Sequence, residues 1–152
     1  MNRWMKIAYD EALKGIYNDD GGPFGAVIVK NGKLIAKSHN KVLVSKDPTS
    51  HAEINVIREA SKKLGTFDLS EAVLYTTCKP CPMCMGAVFW ARIKTVYYGA
   101  DENDATKAGF DDKLFYEMIE GKKESLNLVQ VDREINVKLF EKFLQKDNYE
   151  IY

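Results

Sequence analysis

The sequence predicts an α/β domain, a mixed sheet of about five strands with helices covering both faces. Two observations carry that expectation. Apolar residues recur at helical spacing in several segments and form short β-branched and aromatic runs between them. Through the middle of the chain those segments alternate as strand, helix, strand, helix, strand, an order that implies right-handed crossovers and parallel pairing. The 152 residues are 45% hydrophobic and 11% aromatic, which suits a single domain over 1–152 with one real core.

The elements follow in order. Residues 2–17 place Trp4, Ile7, Ala8, Ala12 and Ile16 at helical spacing. "GAVIVK" at 25–30 and "KLIAKS" at 33–38 flank Asn31-Gly32, a hairpin with a tight primed turn. "DPTS" at 47–50 ends a loop and offers capping side chains to a helix over 51–63. "AVLYTT" at 72–77 reads as a buried strand, 81–92 as a helix and "TVYYGA" at 95–100 as another strand. Residues 112–120 read as helical, 126–131 as a last strand and 136–146 as a last helix, with an irregular tail over 147–152. That last helix is amphipathic through Ile135, Leu139, Phe140, Phe143 and Leu144, a face suited to a core or an interface alike.

Composition narrows the classes. Lys plus Arg and Asp plus Glu are both 22, so the chain lacks the basic excess expected of a protein that grips a nucleic-acid backbone. The opening "MNRWMKIAYDEALKG" has no signal-peptide core, and no run is apolar enough to span a bilayer; a cytoplasmic protein is expected. The three cysteines crowd into "CKPCPMC" at 78–84, unlike the paired, spread cysteines of a disulfide scaffold.

Redox chemistry, a structural metal knot and a catalytic metal each explain such a cluster. Cys81 and Cys84 share a helical face and fall in the first turn after the strand 72–77, where unpaired N–H groups favour thiolates. His51 starts the helix after "DPTS"; if both helices begin at one sheet edge, it faces the two sulfurs. Three ligands leave a tetrahedral zinc with one open position, the mark of a catalytic site. Glu53, two residues beyond His51, would stand beside that position as a proton carrier. A redox pair would leave "HAE" at 51–53 without a role, while a closed structural site would recruit Cys78 or His39.

"HAE" at 51–53 followed by "PCPMC" at 80–84 is the His-x-Glu and Pro-Cys-x-x-Cys pattern of the zinc deaminases. Together with "GGPFGAVIVKNG", "DPTSHAEINVIREA", "LYTTCKPCPMCMGAVFWAR" and "AGFDD", it makes the chain resemble the cytidine/deoxycytidylate deaminase superfamily over nearly its whole length, most like its bacterial guanine deaminases. The resemblance implies a three-layer α/β/α fold with a mixed five-stranded sheet. It implies zinc on His51, Cys81 and Cys84, with Glu53 as catalytic proton shuttle. It places Phe24, Asn40, Ala52, Trp90, Asp112 and Tyr152 at the substrate, a purine base.

From the residues alone, Trp90 has core packing as its alternative role, Asp112 is as well explained as a helix N-cap, and Phe24 and Asn40 read as ordinary turn and strand-end residues. Two positions depart from the family: Lys79 stands where glutamate is common, and Asn55 where a small or β-branched residue is usual.

The implied reaction is hydrolytic. Water replaces the amino group at C2 of guanine, Glu53 moves the protons, and xanthine and ammonia leave. A homodimer is implied, with C-terminal residues 147–152 exchanged. The rivals are a tRNA adenosine deaminase, which needs a basic surface around its pocket, another free-base or nucleoside deaminase, and a zinc-stabilised binding module, which needs a closed fourth ligand.

Overall fold

Asn2 opens the first helix by accepting from the backbone N–H groups of Trp4 and Met5, and α1 (Arg3–Tyr17) follows. A computed structural model describes residues 2–123 and 126–152 of the chain. The hairpin forms as expected. Asn31 and Gly32 both take positive φ, 50° and 69°, which a primed turn demands, and they join β1 (Gly25–Lys30) to β2 (Lys33–His39). A short turn of helix, α2 (Val42–Ser45), precedes α3 (Ala52–Leu64). Then come β3 (Ala72–Cys78), α4 (Pro82–Trp90), β4 (Thr95–Ala100), α5 (Glu102–Lys107), α6 (Asp112–Ile119) and α7 (Arg133–Leu144).

Among the described residues the sheet has four strands in the order β2-β1-β3-β4, not five. The expected strand at 126–131 is irregular chain without a ladder, and Leu128 is 89% exposed. Its apolar spacing suits a strand, but a strand holds only when a neighbour pairs with it and a face is covered. The parallel pairing is also narrower than expected. β3 and β4 are parallel neighbours, whereas β1 lies between β2 and β3 and runs antiparallel to both. Helix α5 was not foreseen, although its reciprocal capping box, Asp101 with Asp104, is visible in the sequence.

Alternation along β1 builds the layers. Ala26 and Ile28 face the core formed with Ala52, Val56 and Ala60 of α3, Val88 of α4 and Leu74 of β3. Val27 and Val29 face the other way, onto Ala8 of α1. Replacing the fully buried Leu74 by Ala costs about 2–5 kcal/mol of stability. No helix among the described residues is long and apolar enough to cross a membrane.

Because β2, β3 and β4 run in one direction, their carboxyl ends share one edge of the sheet. Asn40 follows β2, Cys78 ends β3, and helices α3 and α4 begin after loops from that edge. Open α/β sheets place sites there.

Candidate active site

His51 is the N-cap of α3 and Cys81 the N-cap of α4, both with extended backbone and neither using its side chain as a cap. Both side chains turn toward each other instead. The capping role expected of "DPTS" is spent inside the loop, where Asp47 Oδ1 accepts from the Thr49 N–H and hydroxyl. His51 Nδ1 stands 3.6 Å from Cys81 Sγ and 3.6 Å from Cys84 Sγ. Bonds of about 2.3 Å to sulfur and 2.0–2.1 Å to nitrogen, opened at a tetrahedral angle, set N and S about 3.6 Å apart. The imidazole and two sulfurs therefore fit zinc in both chemistry and spacing.

Among the described residues this three-ligand group is the one that could hold a metal. Cys78 does not join it. Its thiol donates to the Asp101 carbonyl at 3.6 Å, and burial pushes it up to about 12, so it stays a neutral thiol. His39 is turned away, between Glu11 and Asp20.

The electrostatics already lean toward a cation. Cys81 is pushed down to about 4, first by the Cys84 thiol donating to it and then by the His51 ring, against the effect of burial. Cys84 is pushed up in turn by the same contact and by burial. The bond to Cys81 raises His51 above its ordinary value.

Glu53 is 5% exposed. Its Oε1 accepts the Thr76 hydroxyl at 2.8 Å, and its Oε2 lies 3.5 Å from Cys84 Sγ. Burial raises its carboxyl above the ordinary range, with the Thr76 bond opposing the rise. Sequence reasoning missed Thr76. The signal was its place in β3, two residues on from Leu74 on the buried face of that strand.

A cavity of about 340 Å³ opens in front of the group, lined among others by Phe24, Asn40, His51, Glu53, Phe110 and Asp112. Phe24 and Phe110 meet edge to face, centroids 4.8 Å apart, and make the apolar wall. Phe110 lies inside "AGFDD" but was not singled out from sequence. Asn40 is locked in one orientation. Its Oδ1 accepts from the Gly22 N–H at 3.2 Å and the Val42 N–H at 3.1 Å. Its NH₂ is left as a donor toward the cavity. A Cβ on Gly21 would stand 2.2 Å from that Oδ1, so glycine is needed for the approach. Asp112 occupies the first turn of α6, where Asp111 is the N-cap, and it lines the cavity. Burial, and then the Cys81 thiolate, raise its carboxyl.

Three expected site residues lie elsewhere within this chain. Ala52 is fully buried in the core behind His51. Trp90, at the far end of α4, packs against Tyr152 with ring centroids 5.8 Å apart. They line a different cavity with Ile57 and Phe67. Lys79 pairs with Glu102 at 3.1 Å and lies over the Tyr116 ring, whose hydroxyl donates to the Pro80 carbonyl. Asn55 donates to the carbonyls of His39 and Ser50, stitching the loop after β2 onto α3.

The family model for the cytidine and deoxycytidylate deaminase zinc-binding region matches residues 1–100. The chain belongs to that deaminase family. It is 51% identical over 117 residues to the guanine deaminase of Bacillus subtilis (strain 168), covering 77% of this chain and 75% of that protein. An X-ray structure of guanine deaminase from Bacillus subtilis matches with a TM-score of 0.84 at 43% identity, over 99% of this chain and 100% of the other. The tRNA-specific adenosine deaminase of Buchnera aphidicola is 38% identical over 121 residues, 78% of each chain. The zinc deaminase pattern thus fits both the geometry and the relatives.

Proposed function

We propose that this deaminase hydrolyses guanine to xanthine and ammonia, using zinc held by His51, Cys81 and Cys84. The similarity to guanine deaminase over the whole chain carries the reading, and the cavity fits it. Bound there, zinc supplies Lewis acidity and brings the pKa of a water to about 7.

The chain's residues do the rest. Phe24 and Phe110 give the flat base an apolar wall. The Asn40 NH₂ donates to acceptor atoms of the purine, and Asp112 accepts from its N–H donors. Glu53 is held by Thr76 through one oxygen, which leaves the other to carry protons. Burial raises its proton affinity toward the working range, so it can take one proton from water and pass it to the ring nitrogen, then move the second, from the hydroxyl now on C2, to the amine as the C2–N bond breaks and the carbonyl forms.

Ammonia release from guanine, adenine, cytosine and tRNA, measured in parallel on zinc-loaded protein, tests this. Guanine is expected to be the substrate. Turnover on tRNA and not on guanine would replace the reading with tRNA adenosine deamination, which zero net charge disfavours. No ammonia from any substrate would favour the binding module, against which the three-ligand group argues. Glu53→Gln is expected to keep zinc and lose about 10²–10⁴ in turnover.

The chain acts as a cytoplasmic homodimer with its C-terminal segment exchanged. Helix α7 buries no residue, and Ile135, Leu139 and Phe140 are exposed along it. Such a face calls for a cover. Sedimentation at twice the chain mass of 17.3 kDa, lost on truncation before α7, is the expected result.

A further inference from the structure

His39 is 4% exposed at the end of β2, directly before Asn40. Its Nδ1 lies 3.1 Å from Glu11 Oε2 and its Nε2 2.8 Å from Asp20 Oδ2. An ionised carboxylate only accepts, and a neutral imidazole has one N–H. Both contacts are satisfied together when both ring nitrogens carry protons. Charged groups from three elements surround the ring. Glu11 on α1 also holds Lys37 of β2 at 3.0 Å. Lys14 of α1 and Lys41 after β2 stand nearby, and on α3 Glu59 pairs with Lys63 at 3.0 Å. The ring lies so close to α1 that a Cβ on Gly15 would stand 2.7 Å from its Cδ2.

The groups tied to this bridge are those of one cavity wall. The Asp20 carbonyl accepts from the N–H groups of Leu43 and Val44 at 3.1 and 3.0 Å. Asn40, the next residue after His39, accepts from Gly22 and Val42. Asn55 donates to the His39 carbonyl at 3.0 Å. Gly21, Gly22, Asn40, Val42 and Leu43 all line the cavity in front of the metal ligands. His39 itself does not line it.

We propose that His39, clamped through both ring nitrogens between Glu11 and Asp20, is a positioning residue that holds the Asn40 wall of the base pocket. It sets affinity for the base and leaves the chemistry at Glu53 alone. The assignment rests on the deaminase reading for its kinetic consequence and on geometry for the rest.

The test uses zinc-loaded full chain and His39→Gln, whose single amide nitrogen cannot stand in for two ring nitrogens facing opposite carboxylates. KM for guanine is expected to rise about tenfold with kcat within about twofold and zinc content unchanged. With two histidines in the chain, the ring-nitrogen NMR spectrum is easily assigned. His39 is expected to show hydrogen-bonded signals at both ring nitrogens.

A His39 ring hydrogen-bonded at one nitrogen only, an unchanged KM, or a joint loss of kcat and zinc would each overturn the proposal. If His39→Gln does not fold, Asp20→Asn on the loop takes its place, with the same KM split expected. If wild-type protein releases no ammonia from guanine, the deaminase reading fails first. The ring spectrum and the amide exchange of Gly22 and Val42, faster in the variant if the wall is held by His39, then decide the positioning claim.

Discussion

Thr76 donates its hydroxyl to Glu53 Oε1 across 2.8 Å, inside a pocket where both side chains are buried. Strand β3 thereby fixes a carboxylate carried by helix α3. The bond leaves Oε2 as the oxygen free to move a proton. It also favours the charged form of a group that burial makes harder to ionise.

Thr76→Val keeps the shape and removes that bond. The Glu53 carboxyl then rises further, and the acid limb of kcat against pH moves to higher pH. We expect kcat at neutral pH to fall about tenfold while zinc content holds. A variant whose kcat–pH curve overlays the wild type would show that Thr76 only packs.

Asn40→Asp changes what the pocket offers. One carboxylate oxygen can still accept from Gly22 and Val42, but the other faces the base as an acceptor where a donor stood. KM for guanine is expected to rise about ten- to a hundredfold, because purine acceptors lose their partner. Steady-state kinetics checks this, and a KM equal to wild type would reject Asn40 as donor to the base.

Metal removal leaves the thiols distinguishable. With Cys81 pushed down to about 4 and Cys78 up to about 12, chelated protein should react with iodoacetamide at Cys81 under mildly acidic conditions and leave Cys78 untouched. Zinc should protect Cys81. Peptide mapping by mass spectrometry reads the outcome, and fast labelling of Cys78 would contradict its buried neutral state.

The Glu11–His39–Asp20 bridge predicts an acid dependence of stability. Burial raises the Glu11 carboxyl, but bonds from His39 and Lys37 outweigh it and hold it below its ordinary 4.5. The His39 bond holds Asp20 below its ordinary 3.8. Groups lowered on folding bind fewer protons in the native state. Their contribution is therefore whole above those ordinary values and is lost as pH falls through the native ones. In urea unfolding, Asp20→Asn should be less stable than wild type at neutral pH, and the gap should close in acid. A gap that widens in acid would reverse the sign.

The gathering of His51, Cys81 and Cys84 with Glu53 beside them was legible because its chemistry is local. A helix start after a buried strand is written in residues 47–53 and 72–84 themselves, and each start brings its side chain to the same edge. The hairpin at Asn31-Gly32 was legible for the same reason. The strand at 126–131 was not decidable this way, since alternation records which residues could face a core and not whether a neighbour exists to pair with them.

The sequence by itself determined the helix and strand types over most of the chain and the metal-binding residue types. The tertiary structure alone decided which side chains meet. It put Phe110, not Trp90, against Phe24 and tied Asn40's Oδ1 to Gly22 and Val42 at the cavity wall. It gave Glu53 a partner from β3 and spent His39 on two carboxylates. Spacing along a chain fixes the face a residue occupies, but contacts between remote segments depend on strand order and helix placement, which no local pattern encodes.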